Sequence, residues 1–139
     1  MIYSTYLSKI KEIPDSEKIV LITRFAPPSL KQIKKLSHGF IECAFGDRKV
    51  FLNQYLAPSS FLLNSFKKNN DWDEYKRRFI DEMNSSDESM YLINRLARSS
   101  ATKDTYIVCM EKDYTHCHRT IVRNMIEELG VETQEFQSK

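Results

Sequence analysis

The apolar positions of this chain alternate between strand-like and helix-like patterns. The clearest strand is predicted over residues 18–23, a continuous aliphatic run typical of a strand that is covered on both faces. Shorter apolar runs predict further strands over 1–7, 40–45, 105–110 and 131–136. Because helical patterns separate most of these runs, a parallel sheet is favoured over an antiparallel one.

A short helix is predicted between the strands over 18–23 and 40–45. Ser29 is a suitable N-cap, and Leu30, Ile33 and Leu36 recur at helical spacing behind it. Glycine commonly ends helices, so we expect this one to end at Gly39.

The middle of the chain is predicted to be helical throughout. Pro58 opens a first helix that breaks at Asn70, Asp71 caps a second, and Ser86 caps a third. A further helix is predicted over 117–129, directly after the strand over 105–110.

Length and composition fit a single soluble domain. The chain has 139 residues, 41% of them hydrophobic and 29% charged, which is ordinary for a globular protein with one core. We therefore predict one compact α/β domain over residues 1–139. Its β-sheet is mainly parallel and flanked by helices, with a run of consecutive helices in the middle.

Charge and cysteine content narrow the classes of function. A net charge of +2 gives no general argument for nucleic acid, membrane or acidic partners. Only three glycines are present, which argues against a glycine-rich nucleotide loop, and we predict no cofactor. The three cysteines are an odd number without a secretory signal, and no apolar run approaches the roughly 18 residues of a membrane span. We expect a cytoplasmic protein with free thiols.

The candidate chemistry is concentrated in residues 109–119, which read CMEKDYTHCHR. This stretch lies where the strand over 105–110 ends and the helix over 117–129 begins. Ligands of α/β sheets collect at the carboxyl ends of the strands. Helix N-termini there favour anions and thiolates. The position predicts a site for a thiol and an anion.

Four residues of this stretch are the candidate catalytic residues. Cys117 at the helix N-terminus is a candidate nucleophile, because the helix dipole and nearby cations favour its thiolate. Arg119 would bind a substrate anion, His118 would assist proton transfer, and Glu111 would orient Arg119 or His118. The alternative is a buried structural cysteine beside a salt bridge of Arg119 with Glu111 or Asp113.

Other residues could complete such a site. Arg24 lies at the carboxyl end of the clearest strand, and Ser4 and Thr5 lie near the end of the first, so all three are candidate substrate-binding residues. A surface role is the alternative for Arg24. Cys109 faces either the pocket or the core, and His116 is either a site residue or a solvated loop histidine.

Two sharper motifs fit poorly. His116-Cys117-x5-Arg123 has the spacing of a cysteine phosphatase loop, but the intervening residues look helical rather than small. Cys109, Cys117 and a histidine are ligand types that zinc accepts, yet the paired C-x2-C spacing is absent. We predict no metal.

A basic and aromatic surface is a candidate for contact with nucleic acid, or else the solvated face of a helix. Its members are Lys67, Lys68, Trp72, Lys76, Arg77 and Arg78.

The arrangement resembles the domain of unknown function 488 family, whose members carry a C-x-E…CHR signature near the C-terminus. Here the signature is Cys109, Glu111, Cys117, His118 and Arg119. The stretch from Leu56-Ala57-Pro58-Ser59 through Trp72, Tyr75, Arg77-Arg78-Phe79 and Glu82 is similar to the YeaO-like branch, and Tyr3-Ser4-Thr5-Tyr6 is similar to family openings.

The resemblance implies a compact α/β fold and a site at the signature, but no substrate. Members of the YeaO-like branch carry other residues in place of the CHR triplet, so a mechanism through Cys117 would not be common to the whole family. The sequence therefore leaves two functions open. One is a thiol-dependent enzyme acting on a phosphate- or carboxylate-bearing molecule, and the other is a non-catalytic protein that binds an anion or nucleic acid. It does not determine the oligomeric state.

Overall fold

The computed structural model describes residues 1–137, and its strands form one sheet. Their bounds are β1 Ile2–Tyr6, β2 Lys18–Leu21, β3 Leu30–Lys35, β4 Phe40–Phe45, β5 Arg48–Asn53, β6 Thr105–Cys109 and β7 Thr133–Glu135. The strand order is β3-β4-β5-β2-β6-β1-β7. The neighbours from β5 to β7 run parallel, whereas β4 is antiparallel to both β3 and β5. This confirms the mainly parallel α/β fold.

The predicted run of consecutive helices is confirmed. It consists of α1 Ser60–Asn69, α2 Trp72–Asn84 and α3 Asp87–Ser99, and α4 His118–Glu127 follows β6. The predicted caps are in place, since the side chain of Asp71 accepts from the Glu74 N–H and that of Ser86 from the Ser89 N–H.

The prediction of a short helix after Ser29 is wrong. This segment forms strand β3, which pairs with β4. Of the apolar positions at helical spacing, Leu30 is buried, but Ile33 is 54% exposed and Leu36 is 38% exposed. A register shift between Gln32 and Lys34 breaks the alternation that would have indicated a strand. Gly39 has a φ of +79° and serves the turn into β4 rather than a helix end. Strand β5 was not predicted.

Helices α1 to α4 pack on one face of the sheet. Their apolar residues share a core with Val20, Ile22, Ile107 and Cys109. Within residues 1–137, the other face is covered by a 3-10 helix over Leu7–Glu12 and the segment after it, and not by an α-helix. Cys109 and the start of α4 thus lie on the helical side, at the carboxyl ends of the parallel strands.

The predicted domain over 1–139 includes Ser138 and Lys139, which lie outside the described residues. Within residues 1–137, no helix combines the length and apolar character needed to cross a membrane.

Candidate functional site

The site is built where β6 ends and α4 begins. Cys109 is the last residue of β6, and Cys117 is the N-cap of α4 with extended backbone angles of −125° and 141°. The register places Tyr6 of β1 opposite Cys109, so the carboxyl ends of these parallel strands meet here. This confirms the predicted location of the cluster at a strand end and a helix N-terminus.

Two thiols and one imidazole come together at this junction. The sulfur atoms of Cys109 and Cys117 and a ring nitrogen of His118 all lie within 4.8 Å of one another. All three side chains are buried, with residue exposures of 1%, 1% and 8%. Cys109 therefore belongs to the site, although it also touches the helical core.

The surroundings favour the thiolate form of Cys117. A hydrogen bond from the Cys109 thiol lowers the pKa of Cys117 to about 4, against the opposing effect of burial. A hydrogen bond and the charge of His118, together with the charge of Arg119, act in the same direction. Burial and the hydrogen bond to Cys117 raise the pKa of Cys109 well above its ordinary value. The pair therefore holds one proton on Cys109 and one negative charge on Cys117.

The ring of His118 is fixed by its neighbours. Its Nε2 lies within hydrogen-bond distance of the Ile22 carbonyl oxygen, which can only accept, so Nε2 carries a proton. The ring of Phe79 packs edge-on against the imidazole, with centroids 5.6 Å apart. When the ring is neutral, the lone pair is therefore on Nδ1, whereas the charged ring carries a proton on both nitrogens.

A cavity of about 580 Å³ opens onto the two thiols and the imidazole. One wall of this cavity is aromatic, formed by Phe66 of α1 and by Trp72 and Tyr75 of α2, whose rings pack against one another. Burial first, and then the negative charge of Cys117, raise the pKa of the Tyr75 hydroxyl, which keeps it neutral. The cavity can hold a flat or apolar group close to Cys117.

Charged groups lie around the same cavity. Lys67 contributes a cation, whereas Glu111 and Asp113 contribute carboxylates. His116 also lines the cavity, 5.1 Å from Trp72 between ring centroids and 3.5 Å from an Asp113 oxygen. Hydrogen bonds from Thr115 and then from His116 lower the pKa of Asp113. His116 and Glu111 are thus brought to the site, on its exposed side.

Arg119 points away from the cavity. Its side chain is fully buried, and its guanidinium binds both carboxylate oxygens of Glu135 in β7, at 3.2 and 2.9 Å. It also donates to the carbonyl oxygens of Glu111 and Lys112. The predicted salt bridge of Arg119 with Glu111 or Asp113 is wrong, because its carboxylate partner is Glu135. The guanidinium therefore links the loop before α4 to the edge strand β7. Because it is buried, its charge needs these partners.

The candidate substrate-binding residues lie outside the cavity lining. The guanidinium of Arg24 donates to the Pro58 and Ala57 carbonyl oxygens, at 2.9 and 3.3 Å, and holds the segment before α1. Ser4 donates to Glu135 at 2.6 Å. Thr5 is buried, and its hydroxyl has no hydrogen-bond partner among the described residues.

Arg123 also lies away from the thiols. It donates to the Thr133 hydroxyl at 3.0 Å, so the geometry of a phosphatase loop is not formed. The basic surface is partly neutralised, because Arg77 pairs with Asp81 and Arg78 with Glu74.

A larger cavity of about 930 Å³ lies elsewhere, near Lys18, Arg48 and Lys103, and none of the predicted site residues lines it.

Sequence reasoning missed the aromatic wall and the role of Glu135. Trp72 and Tyr75 are three residues apart on α2 and Phe66 is an apolar residue of α1, so each resembles part of an ordinary buried helix face. Only the tertiary packing of α1 and α2 brings these rings to the cavity that the thiols line. Glu135 lies 16 residues from Arg119 in the chain, and no local pattern connects the two.

The fold and site define an α/β protein with two thiols and an imidazole at the carboxyl edge of its sheet. The sequence profile DUF488-N3a, described as the active DUF488-N3 subclade, matches residues 15–130. The chain therefore belongs to the DUF488 family, as its signature predicted. Comparisons with curated proteins and with solved structures give no match. The likeness of the central segment to the YeaO-like branch stays a prediction.

Proposed function

We propose that this protein is a thiol-dependent enzyme in which the Cys117 thiolate attacks an electrophilic centre of a substrate in the aromatic-walled cavity. A bond from sulfur to that centre forms as the bond to the leaving group breaks, and the leaving group departs with the electron pair and takes up a proton. The observation that carries the proposal is the position of Cys117. Its sulfur lies at the N-terminus of α4, beside the Cys109 thiol and His118, on a cavity large enough for a small molecule. Hydrogen-bond donors and a helix N-terminus are the arrangement that activates a thiol at neutral pH.

Each neighbour has a separate task. The Cys109 thiol donates to the Cys117 thiolate and stabilises its charge. His118 is oriented by the Ile22 carbonyl, and its Nδ1 can accept or return a proton during the reaction. Arg119 acts through structure, because its guanidinium fixes the loop that precedes Cys117 instead of reaching the cavity.

The substrate class follows from the cavity wall. A flat ring would stack on Trp72 and Phe66, and an anionic group would lie near Lys67 and the N-terminus of α4. The substrate is therefore a small aromatic or heteroaromatic molecule that carries a phosphate or carboxylate. The substrate thus still carries the anionic group that the sequence predicts, but Lys67 rather than Arg119 binds it.

Alkylation by iodoacetamide across pH tests the nucleophile. We expect labelling of Cys117 to reach its full rate by about pH 6, with an inflection near pH 4, whereas an ordinary thiol titrates near 8.5. Intact-mass and peptide analysis identify the labelled residue, and Cys117→Ser is the control. An inflection at or above pH 8.5 would sink the proposal and favour the non-catalytic alternative.

A further inference from the structure

We propose that Cys109, Cys117 and His118 form a binding site for a thiophilic divalent cation of the zinc class, and that the bound ion blocks the nucleophile. This inference rests on the same site as the proposed function and names a regulator of it. The sequence argued against a metal because the paired C-x2-C spacing is absent. In the fold, the end of strand β6 and the start of helix α4 bring the three ligands close together instead.

The distances fit tetrahedral coordination. A zinc ion with bonds of about 2.3 Å to sulfur and about 2.1 Å to nitrogen holds those atoms roughly 3.6 Å apart. The Cys109 sulfur lies 3.9 Å from His118 Nδ1 and 3.5 Å from Nε2, and the two sulfur atoms and one ring nitrogen of His118 lie within 4.8 Å of one another. The Nδ1 distance exceeds the target by about 0.3 Å, and the 4.8 Å limit exceeds it by about 1.2 Å, so shifts of about an ångström or less bring the ligands to bonding positions.

The orientation of His118 is the one that a metal ligand needs. In the neutral ring that binds a metal, the Nε2–H is directed at the Ile22 carbonyl oxygen and the lone pair is on Nδ1. Metal-bound histidines usually donate their second N–H to a carbonyl or carboxylate in this way. The hydrogen bond that would orient a metal-bound His118 is therefore already formed.

Charge also favours a divalent cation. With both thiols deprotonated and His118 neutral, the three ligands carry two negative charges, which one divalent ion neutralises. The Cys109 proton leaves to solvent when the ion binds. A neutral cluster suits a position where the three residues are between 1% and 8% exposed.

The fourth coordination position faces the cavity. Cys109, Cys117 and His118 all line the space of about 580 Å³, so a water molecule or a substrate group can complete the tetrahedron. Two cysteines and one histidine with an open position form a known type of zinc site. While the ion is bound, the Cys117 sulfur is a ligand and is not available for attack.

Titration of the reduced, chelator-stripped full chain with Co²⁺ tests the site. We expect one ion per chain, with thiolate-to-cobalt charge-transfer absorption and tetrahedral d–d bands that Zn²⁺ abolishes by displacing cobalt. Cys109→Ser, Cys117→Ser and His118→Ala should each weaken binding at least tenfold. Matched controls are Cys43→Ala, a buried cysteine in the core on the other face of the sheet, and His38→Ala, an exposed histidine. Both controls should bind as the wild type does.

The unmutated protein provides a second measurement that does not depend on the folding of variants. One equivalent of Zn²⁺ should slow iodoacetamide labelling of Cys117 at least tenfold, and EDTA should restore the rate. Three results would each overturn the metal site. They are the absence of the charge-transfer band, cobalt affinity in the three ligand variants equal to that of the wild type, and a labelling rate of Cys117 that Zn²⁺ leaves unchanged. Rapid labelling of the metal-free protein at pH 6 would leave the proposed function intact in that case. Slow labelling with tight cobalt binding would refute the nucleophile and keep the metal site.

Discussion

The guanidinium of Arg119 binds the carboxylate of Glu135 through two nitrogens, at 3.2 and 2.9 Å, across the space between α4 and the edge strand β7. Arg119 is fully buried, and the Glu135 side chain is 11% exposed. Glu135 also accepts a hydrogen bond from Ser4, the middle residue of β1, which lies opposite it in the sheet. Arg119, which follows the proposed nucleophile by two positions, therefore acts as a structural anchor.

Removal of one partner from this buried pair should be costly. We expect Glu135→Gln to lower the free energy of unfolding by about 3 to 5 kcal/mol, because the Arg119 charge stays buried without its counter-ion. Glu74→Gln, which removes the partner of Arg78 on the surface of α2, should cost less than about 1 kcal/mol. Urea denaturation of both variants gives the comparison. Equal losses in the two would contradict the anchor role.

Loss of the Cys109 thiol should make Cys117 less acidic. A hydrogen bond to a charged group contributes about 1.5 to 3 kcal/mol, which corresponds to about 1 to 2 pH units. We expect Cys109→Ala to raise the inflection of Cys117 alkylation by that amount, and Cys109→Ser, which keeps a donor, to raise it less. An unchanged inflection in Cys109→Ala would show that the Cys109 thiol does not stabilise the Cys117 charge.

Stability should depend on pH through Cys117. Its pKa is lowered to about 4 on folding, whereas an unfolded cysteine titrates near 8.5. The unfolded chain therefore binds more protons between these values, so this contribution is complete above about pH 8.5 and lost as pH falls through 4. The free energy of unfolding should rise more steeply with pH in the wild type than in Cys117→Ser, by up to about 1.4 kcal/mol per pH unit. Parallel urea profiles for the two proteins would refute this.

The thiol of Cys109 should lower the free energy of unfolding as pH rises in the alkaline range, opposite to the effect of Cys117. Because folding raises the pKa of Cys109, its contribution is complete below the pKa of an unfolded cysteine and is lost as pH rises through the folded value. The wild type should therefore be most stable near pH 8.5 with respect to these two groups, and Cys109→Ala should lack the alkaline decline.

Lys67 should be the cation that recognises an anionic ligand. We expect phenyl phosphate to protect Cys117 from iodoacetamide in the wild type and to protect Lys67→Gln several-fold less well. Lys68→Gln is the matched control, because Lys68 is the next residue on α1 but does not line the cavity. Protection that falls equally in both variants would indicate a general charge effect rather than a specific contact.

Trp72 should select aromatic reagents without affecting the intrinsic reactivity of the thiol. We expect Trp72→Leu to reduce the labelling of Cys117 by N-phenylmaleimide about 2- to 10-fold relative to labelling by iodoacetamide, since a ring contact contributes about 0.5 to 1.5 kcal/mol. Tyr91→Leu, an exposed aromatic that stacks on His38, is the control. A parallel loss with both reagents would mean that Trp72 supports the structure of the site instead.

Much of the fold could be predicted because its signals are local. The strand over residues 18–23 was evident from an unbroken aliphatic run, and Asp71 and Ser86 cap their helices through side chains only three residues from the N–H groups they bind. The prediction for strand β3 failed because the features that make it a strand are not local. Its bulge and the exposure of Ile33 and Leu36 depend on pairing with β4, and the local spacing of three and four residues resembled a helix.

The sequence by itself determined where the chemistry lies, because a strand end followed by a helix start is a local pattern and places Cys109, Cys117 and His118 at one edge of the sheet. Only the tertiary structure decided what these residues face. The pairing of Arg119 with Glu135, the fixing of His118 by Ile22 and the aromatic wall around Trp72 all join segments distant in the chain. Such contacts depend on how helices pack across a parallel sheet, and side-chain spacing along one element does not contain that information.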